Sequence, residues 1–153
     1  MQIPIRVGIS PTLHIRGLLA DADIKKGQII ERCPLILVGM EQLPAFSQTV
    51  LWRYHFEWNA RNHCIVLGYG SLYNHSYTPN VRYGFNYKDQ CLVFTALRPI
   101  AAGEELLINY NYDNTGEPEP LDTYLSDFDP HRQPKKAAKR PKAGRSRQPG
   151  RSF

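Results

Sequence analysis

The sequence predicts a mostly-β single domain with one short helix. Three observations lead there. Short runs rich in Val, Ile, Leu, Tyr and Phe recur at irregular spacing, separated by Gly, Pro, Asn and Asp. Only one stretch carries an amphipathic helical pattern. Strands do not alternate with helices as in a parallel α/β sheet, and no internal repeat is present. A length of 153 residues suits one domain with its own core.

Taken in order, Ile3–Val7 and Gly17–Ala20 read as short strands, and residues 23–27 as a turn in which Gly27 is free to take a positive φ. Gln28–Arg32 and Leu35–Val38 read as two strands interrupted by Pro34. Glu41–Trp52 is the helix, with Leu43, Phe46, Val50 and Leu51 on one face and Pro44 in its first turn. Tyr54–Trp58 and His63–Leu67 are strands joined by a turn at residues 59–62. Val81–Tyr87 and Gln90–Leu97 form a hairpin across Lys88 and Asp89. Pro99–Gly103 then turns the chain into Leu106–Ile108.

Composition narrows the functional classes. Apolar residues make up 42%, an ordinary globular share. No apolar run approaches the ~20 residues that span a bilayer, and the N-terminus lacks a signal-peptide pattern. Cys33, Cys64 and Cys91 are odd in number and widely spaced, which argues for a reducing, intracellular setting. They read as small buried hydrophobes, not as metal ligands, and no metal site is expected. Residues 1–130 carry a net charge of −4, while residues 131–153 hold nine Lys or Arg and no acid. The basic balance therefore belongs to a tail too poor in apolar residues to order itself.

The chain is organised around Gly68–Asn80, which reads GYGSLYNHSYTPN. Its turn formers and self-bonding side chains argue against both a strand and a long helix, and Pro79 keeps Thr78 out of the helical region. A polar irregular segment pinned between two strands is where a site can be built on a rigid scaffold. A second segment, Glu104–Tyr110, reads EELLINY. Asn74-His75-Ser76 with Pro79-Asn80, and Glu105-Leu106 with Tyr110, resemble the two signature motifs of the SET-domain family of protein-lysine methyltransferases. They come in the family's order and separation. Arg16-Gly17-Leu18-Leu19-Ala20 resembles the family's opening segment, although Ile15 stands at its first glycine position. The resemblance covers roughly residues 5–112.

The resemblance implies a β-clip-like fold of several small sheets, with the segment carrying Tyr110 tucked under the loop carrying Asn74 in a pseudo-knot. It implies residues 1–115 as the SET domain, 116–130 as a closing segment and 131–153 as a disordered basic tail. It implies methyl transfer from S-adenosylmethionine to a lysine of a basic protein, with a histone or histone-like protein the leading guess. Tyr110 matches the catalytic tyrosine. Arg16, Gly17, Asn74 and His75 match cofactor-holding positions, and Tyr54 and Tyr112 match channel walls. Asn80 and Glu105 are expected to brace the loop. Ile108 stands where some relatives place Phe or Tyr, which leaves the number of methyls open. No cysteine follows Cys91, so the zinc cluster that closes the channel in many relatives is missing. Residues 113–130, with Tyr124 and Phe128, or a second subunit in a homodimer, must close it instead.

The chemistry explains why such a site needs tyrosines. Displacement requires a neutral amine, and at pH 7 a lysine with a pKa of ~10.4 is neutral only a few times in ten thousand, an effective cost of ~4.6 kcal/mol. An apolar channel lowers that pKa by desolvation, and tyrosine offers an apolar body with a polar tip. The alternative is a non-catalytic SET-like module that binds basic tails. The tail itself reads as a nuclear address, an automethylation target, a weak salt-sensitive nucleic-acid contact or a solubilising segment. The expected location is intracellular, either cytoplasmic or, in a eukaryotic host, nuclear.

Overall fold

The computed structural model describes residues 3–110, all of which belong to one unit, Met1–Pro118. The proposed closing segment 116–130 and tail 131–153 lie outside the described residues. Nine strands and one short α-helix follow in order: β1 (Ile5–Ile9), β2 (Arg16–Ala20), β3 (Ile29–Gly39), α1 (Leu43–Phe46), β4 (His55–Asn59), β5 (Asn62–Val66), β6 (Asn74–His75), β7 (Val81–Asn86), β8 (Cys91–Ala96) and β9 (Leu107–Ile108). They make three sheets: the β1–β2 hairpin, a five-stranded sheet in the order β4-β5-β3-β8-β7, and a two-stranded sheet of β6 and β9. The mostly-β expectation of several small sheets holds, and the strand ends fall within a residue or two of those read from sequence.

Three elements differ from expectation. The polar segment 68–80, read as irregular, contains the two-residue strand β6, whose extended form comes from its tertiary pairing with β9 rather than from local propensity. Pro34 does not interrupt β3. Residues Ile29–Pro34 pair with β8 and Leu35–Gly39 pair with β5. Pro34 sits where the strand exchanges partners, so its missing N–H is tolerated. The predicted helix over 41–52 is also shorter and broken. Its α-helical part is α1, flanked by 3-10 turns at Met40–Gln42 and Val50–Tyr54. The polar run after Phe46 explains the break. The Gln48 amide donates to the Pro44 carbonyl at 3.0 Å, and the Thr49 hydroxyl donates to the Phe46 carbonyl at 2.8 Å. These side chains compete with helical hydrogen bonding, and Thr49 turns extended. Of the anticipated apolar face, Phe46 is buried while Val50 is 68% exposed.

The core runs through all three sheets, with Leu18, Ile24, Tyr73, Val81, Leu92, Phe94, Ile100, Leu106 and Ile108 almost wholly inaccessible. All three cysteines are buried and unpaired. Burial pushes the Cys64 thiol up to about 11, as expected of an inert interior thiol.

Segment 104–108 connects the site to this core. On one side the Leu106 N–H donates to the Leu18 carbonyl and the Ala20 N–H to the Glu104 carbonyl, both at 2.8 Å. On the other side β9 pairs parallel with β6, Asn74 opposite Leu107 and His75 opposite Ile108. The pairing is extended when the Ser76 N–H donates to the Ile108 carbonyl at 2.8 Å. A two-residue parallel ladder is weak on its own. Asn80 reinforces it. Its amide donates to the Glu105 carbonyl at 2.7 Å, and its oxygen accepts the Leu107 N–H at 2.8 Å. Thus two stretches far apart in sequence are stitched by one buried amide. Asn80→Ala would strand both backbone groups, and urea denaturation should show a loss of about 2–4 kcal/mol. A loss under about 1 kcal/mol would contradict this role.

Candidate functional site

The site lies where β2, β6 and β9 meet. Its base is a hydrogen-bonded cluster around Glu105. The Asn74 amide nitrogen donates to Glu105 Oε1 at 2.9 Å and to the Arg16 carbonyl at 3.2 Å. The Ser10 hydroxyl donates to Glu105 Oε2 at 2.6 Å. Ser10, Asn74 and Glu105 are all buried. The carboxylate is thus held by two neutral donors from distant parts of the chain. Gly17 makes room for the cluster: a Cβ there would lie 2.5 Å from Asn74 Nδ2 and 2.7 Å from Glu105 Oε1. Any side chain there would force the Asn74 and Glu105 side chains to shift.

Ser10 also shapes the loop before β2. Its oxygen accepts the Leu13 N–H at 3.0 Å and the Thr12 N–H at 3.3 Å. The loop closes when the Ser10 N–H donates to the Ile15 carbonyl at 2.7 Å. His14 carries the positive φ, 56°. The loop therefore turns through its histidine, and Ile15, at the glycine position of the family pattern, is not left-handed.

Above this base stands Tyr110. Its hydroxyl donates to the Tyr73 carbonyl at 2.7 Å, and its N–H donates to His75 Nδ1 at 3.0 Å. The rings of His75 and Tyr110 lie 5.2 Å apart. Although 43% of Tyr110 is exposed, burial of its hydroxyl end, with smaller contributions from Tyr54 and Glu105, pushes its pKa up to about 12. At neutral pH it is an un-ionised phenol. His75 Nδ1 accepts a hydrogen bond, so a neutral ring carries its proton on Nε2, a buried atom without a partner among the described residues. Burial lowers the His75 pKa.

Of the residues singled out in the sequence, Arg16, Gly17, Asn74, His75 and Tyr110 come together here. Arg16 participates through its carbonyl. Tyr54 ends the second 3-10 turn and lies near enough to Tyr110 to contribute to its raised pKa. Tyr112 lies outside the described residues, as do Tyr124 and Phe128. Ile108 is fully buried in the core. Asn80 and Glu105 do brace the loop. Ser10, Tyr73 and Glu31 escaped sequence reading. Only Ser10 left a local trace, as the opening residue of a Ser-Pro-Thr turn. No group of three or more metal-ligating side chains occurs among the described residues, and no helix there is long and apolar enough to cross a membrane.

This constellation defines a class. A family model for the SET domain matches residues 15–111, and the chain belongs to the SET-domain family. Among characterised relatives, the Schizosaccharomyces pombe histone-lysine N-methyltransferase specific for H3 lysine-37 is 32% identical over 96 residues. That alignment covers 62% of this chain and 65% of the relative, so the chain spans less than two thirds of it. A crystal structure of a candidate histone methyltransferase from Plasmodium falciparum superposes with a TM-score of 0.63 at 31% identity, covering 74% of this chain and 97% of the other. Two structures share the fold at lower identity. One is a humanized mutant of the Chaetomium thermophilum Polycomb Repressive Complex 2 bound to the inhibitor GSK126 (22%, TM-score 0.61, 70% of this chain and 15% of that one). The other is ctPRC2 in an autoinhibited conformation bound to S-adenosylmethionine (21%, TM-score 0.62, 72% and 15%).

Two outcomes test this geometry. Gly17→Ala should cost about 1–3 kcal/mol by urea denaturation, because its Cβ pushes the Asn74 and Glu105 side chains apart; an unchanged midpoint would contradict the packing. The His75 pKa is depressed in the folded state. Below about 6.5 the unfolded chain therefore binds a proton that the folded chain refuses. The contribution of His75 to stability is complete above that pH and is lost as pH falls through the folded pKa. His55 is shifted the same way, also first by burial. Replacing His75 by Asn should remove its share, flattening the decline in denaturation midpoint between pH 7 and pH 5.

Proposed function

We propose that this protein is a protein-lysine N-methyltransferase that uses S-adenosylmethionine and acts on a histone or another basic protein. The observation that carries the reading is the pair of oxygens on Tyr110 and Tyr73, 2.7 Å apart, beside a glycine-floored cluster holding Asn74. S-adenosylmethionine, when bound, supplies a methyl group made electrophilic by a positively charged sulfur. Two aligned oxygen dipoles favour positive charge nearby and suit that group. Asn74 Oδ1 carries no hydrogen bond among the described residues, since its amide nitrogen is the atom spent on the base. It is the atom available to accept from a ligand ammonium. Gly17, the Arg16 backbone and the His75 backbone complete the cofactor wall.

Tyr110 has a separate role. Its proton is committed to the Tyr73 carbonyl, so its oxygen lone pairs are left to accept from the substrate amine and aim it. We assign Tyr54 and Tyr112 to the channel wall, Tyr112 on the family resemblance alone. Positioning of this kind contributes several kcal/mol to a bimolecular step. We further assign residues 1–115 to the catalytic domain, 116–130 to channel closure and 131–153 to a basic tail that makes salt-sensitive contact with nucleic acid at most. The net charge of −4 over residues 1–130 favours a basic partner. The relative specific for a histone H3 lysine supports an intracellular setting, nuclear in a eukaryotic host.

The test is transfer of labelled methyl from S-adenosylmethionine to core histones. The wild type should methylate a lysine, and Tyr110→Phe should lower kcat at least about 100-fold with little change in KM for the cofactor. The rate should rise with pH above 7 as the amine loses its proton, with no downturn from Tyr110 below about pH 11. Retained binding of basic peptides without any transfer would instead make the protein a non-catalytic binding module.

A further inference from the structure

Two carboxylates are buried among the described residues, Glu105 and Glu31. Glu105 anchors the site base. Glu31 lies elsewhere, on β3, and forms no ion pair among the described residues. A β-bulge brings it inward: the register of β3 against β8 slips between Ile29 and Glu31, so Ile30 and Glu31 are both buried in succession. Glu31 then stands directly opposite Phe94 of β8. These two neighbours hold one ring between them. Tyr73 stacks on Phe94, centroids 4.4 Å apart and planes within 2°. Its hydroxyl donates to Glu31 Oε1 at 2.9 Å. The Tyr69 N–H reaches Glu31 Oε2 at 3.4 Å, and the Cys33 thiol lies against the same carboxylate, which adds to burial in pushing that thiol's pKa up.

A buried carboxylate without a cation is a costly way to fill space. A phenylalanine at position 73 would keep the stack and need no acceptor. The carboxylate therefore calls for another role, and the other end of Tyr73 supplies one. Its carbonyl accepts the Tyr110 hydroxyl at 2.7 Å. That carbonyl lies one residue before the ladder begins at Asn74, so the ladder does not by itself fix its direction. The side chain has to do so instead.

We propose that Glu31 is a positioning residue for methyl transfer: through the Tyr73 hydroxyl it fixes the Tyr73 carbonyl, and with it the orientation of the Tyr110 phenol. The proposal rests on the reading of the site as a lysine methyl-transfer centre, but its structural half is testable without turnover. Tyr73→Phe removes the hydroxyl and keeps the ring and the carbonyl. Glu31→Gln keeps an oxygen that can accept from Tyr73.

In cofactor-free protein with tyrosine ring-labelled at Cζ, hydroxyl-proton exchange of Tyr110 at pH 7 should speed up at least about ten-fold in Tyr73→Phe and less than about three-fold in Glu31→Gln. In methyl-transfer assays kcat should fall about ten-fold in Tyr73→Phe, with both KM values within about two-fold, and should recover in Glu31→Gln. Circular dichroism checks that each variant is folded. Unchanged Tyr110 exchange in folded Tyr73→Phe would overturn the proposal, whatever the activity. Faster exchange in a protein whose wild type transfers no methyl would uphold the positioning and reject the catalytic reading.

Discussion

The Glu105 carboxylate is the constraint on which the rest of the structure depends. It is buried and must be satisfied, and its two oxygens draw in Ser10 and Asn74 from distant parts of the chain. Once Asn74 donates to it, the same amide nitrogen reaches the Arg16 carbonyl and ties β2 to β6. Gly17 has to be a glycine because that cluster occupies the space above it. Neutral donors satisfy the charge without a cation, so the arrangement is sensitive to the loss of any one donor. The site is therefore tied together at its base, and Tyr110 stands beside it.

Above the base, the geometry suits orientation more than proton transfer. Tyr110 stays neutral across the physiological range, and His75 accepts a backbone N–H through Nδ1, which leaves it poorly placed to serve as a base. Alignment and a place for positive charge are what the proposed methyl displacement at a sulfonium would need.

Much of this was legible in the sequence, and the reasons are local. The two motifs are contiguous runs whose residues the fold brings together directly, so Asn74, His75 and Tyr110 could be named from the chain alone. The hairpin across Lys88 and Asp89 and the turn at 59–62 announced themselves through turn residues. What stayed hidden depends on tertiary partners. Nothing near Glu31 marks it as buried, because a bulge rather than sequence alternation turns it inward. Tyr73 is one more tyrosine of an irregular polar segment until its carbonyl is seen against Tyr110. Pro34 reads as a strand breaker unless the exchange of partners along β3 is known. The helix over 41–52 was overextended because apolar spacing outweighed Ser47, Gln48 and Thr49, whose side chains end it.

The most direct test of the account is calorimetric titration of S-adenosylmethionine into the folded protein, with and without a basic histone-tail peptide, beside an Asn74→Ala variant checked for native circular dichroism. The account predicts saturable binding at one site per chain, weakened at least about ten-fold in the variant. Absence of heat in the wild type under both conditions would contradict it.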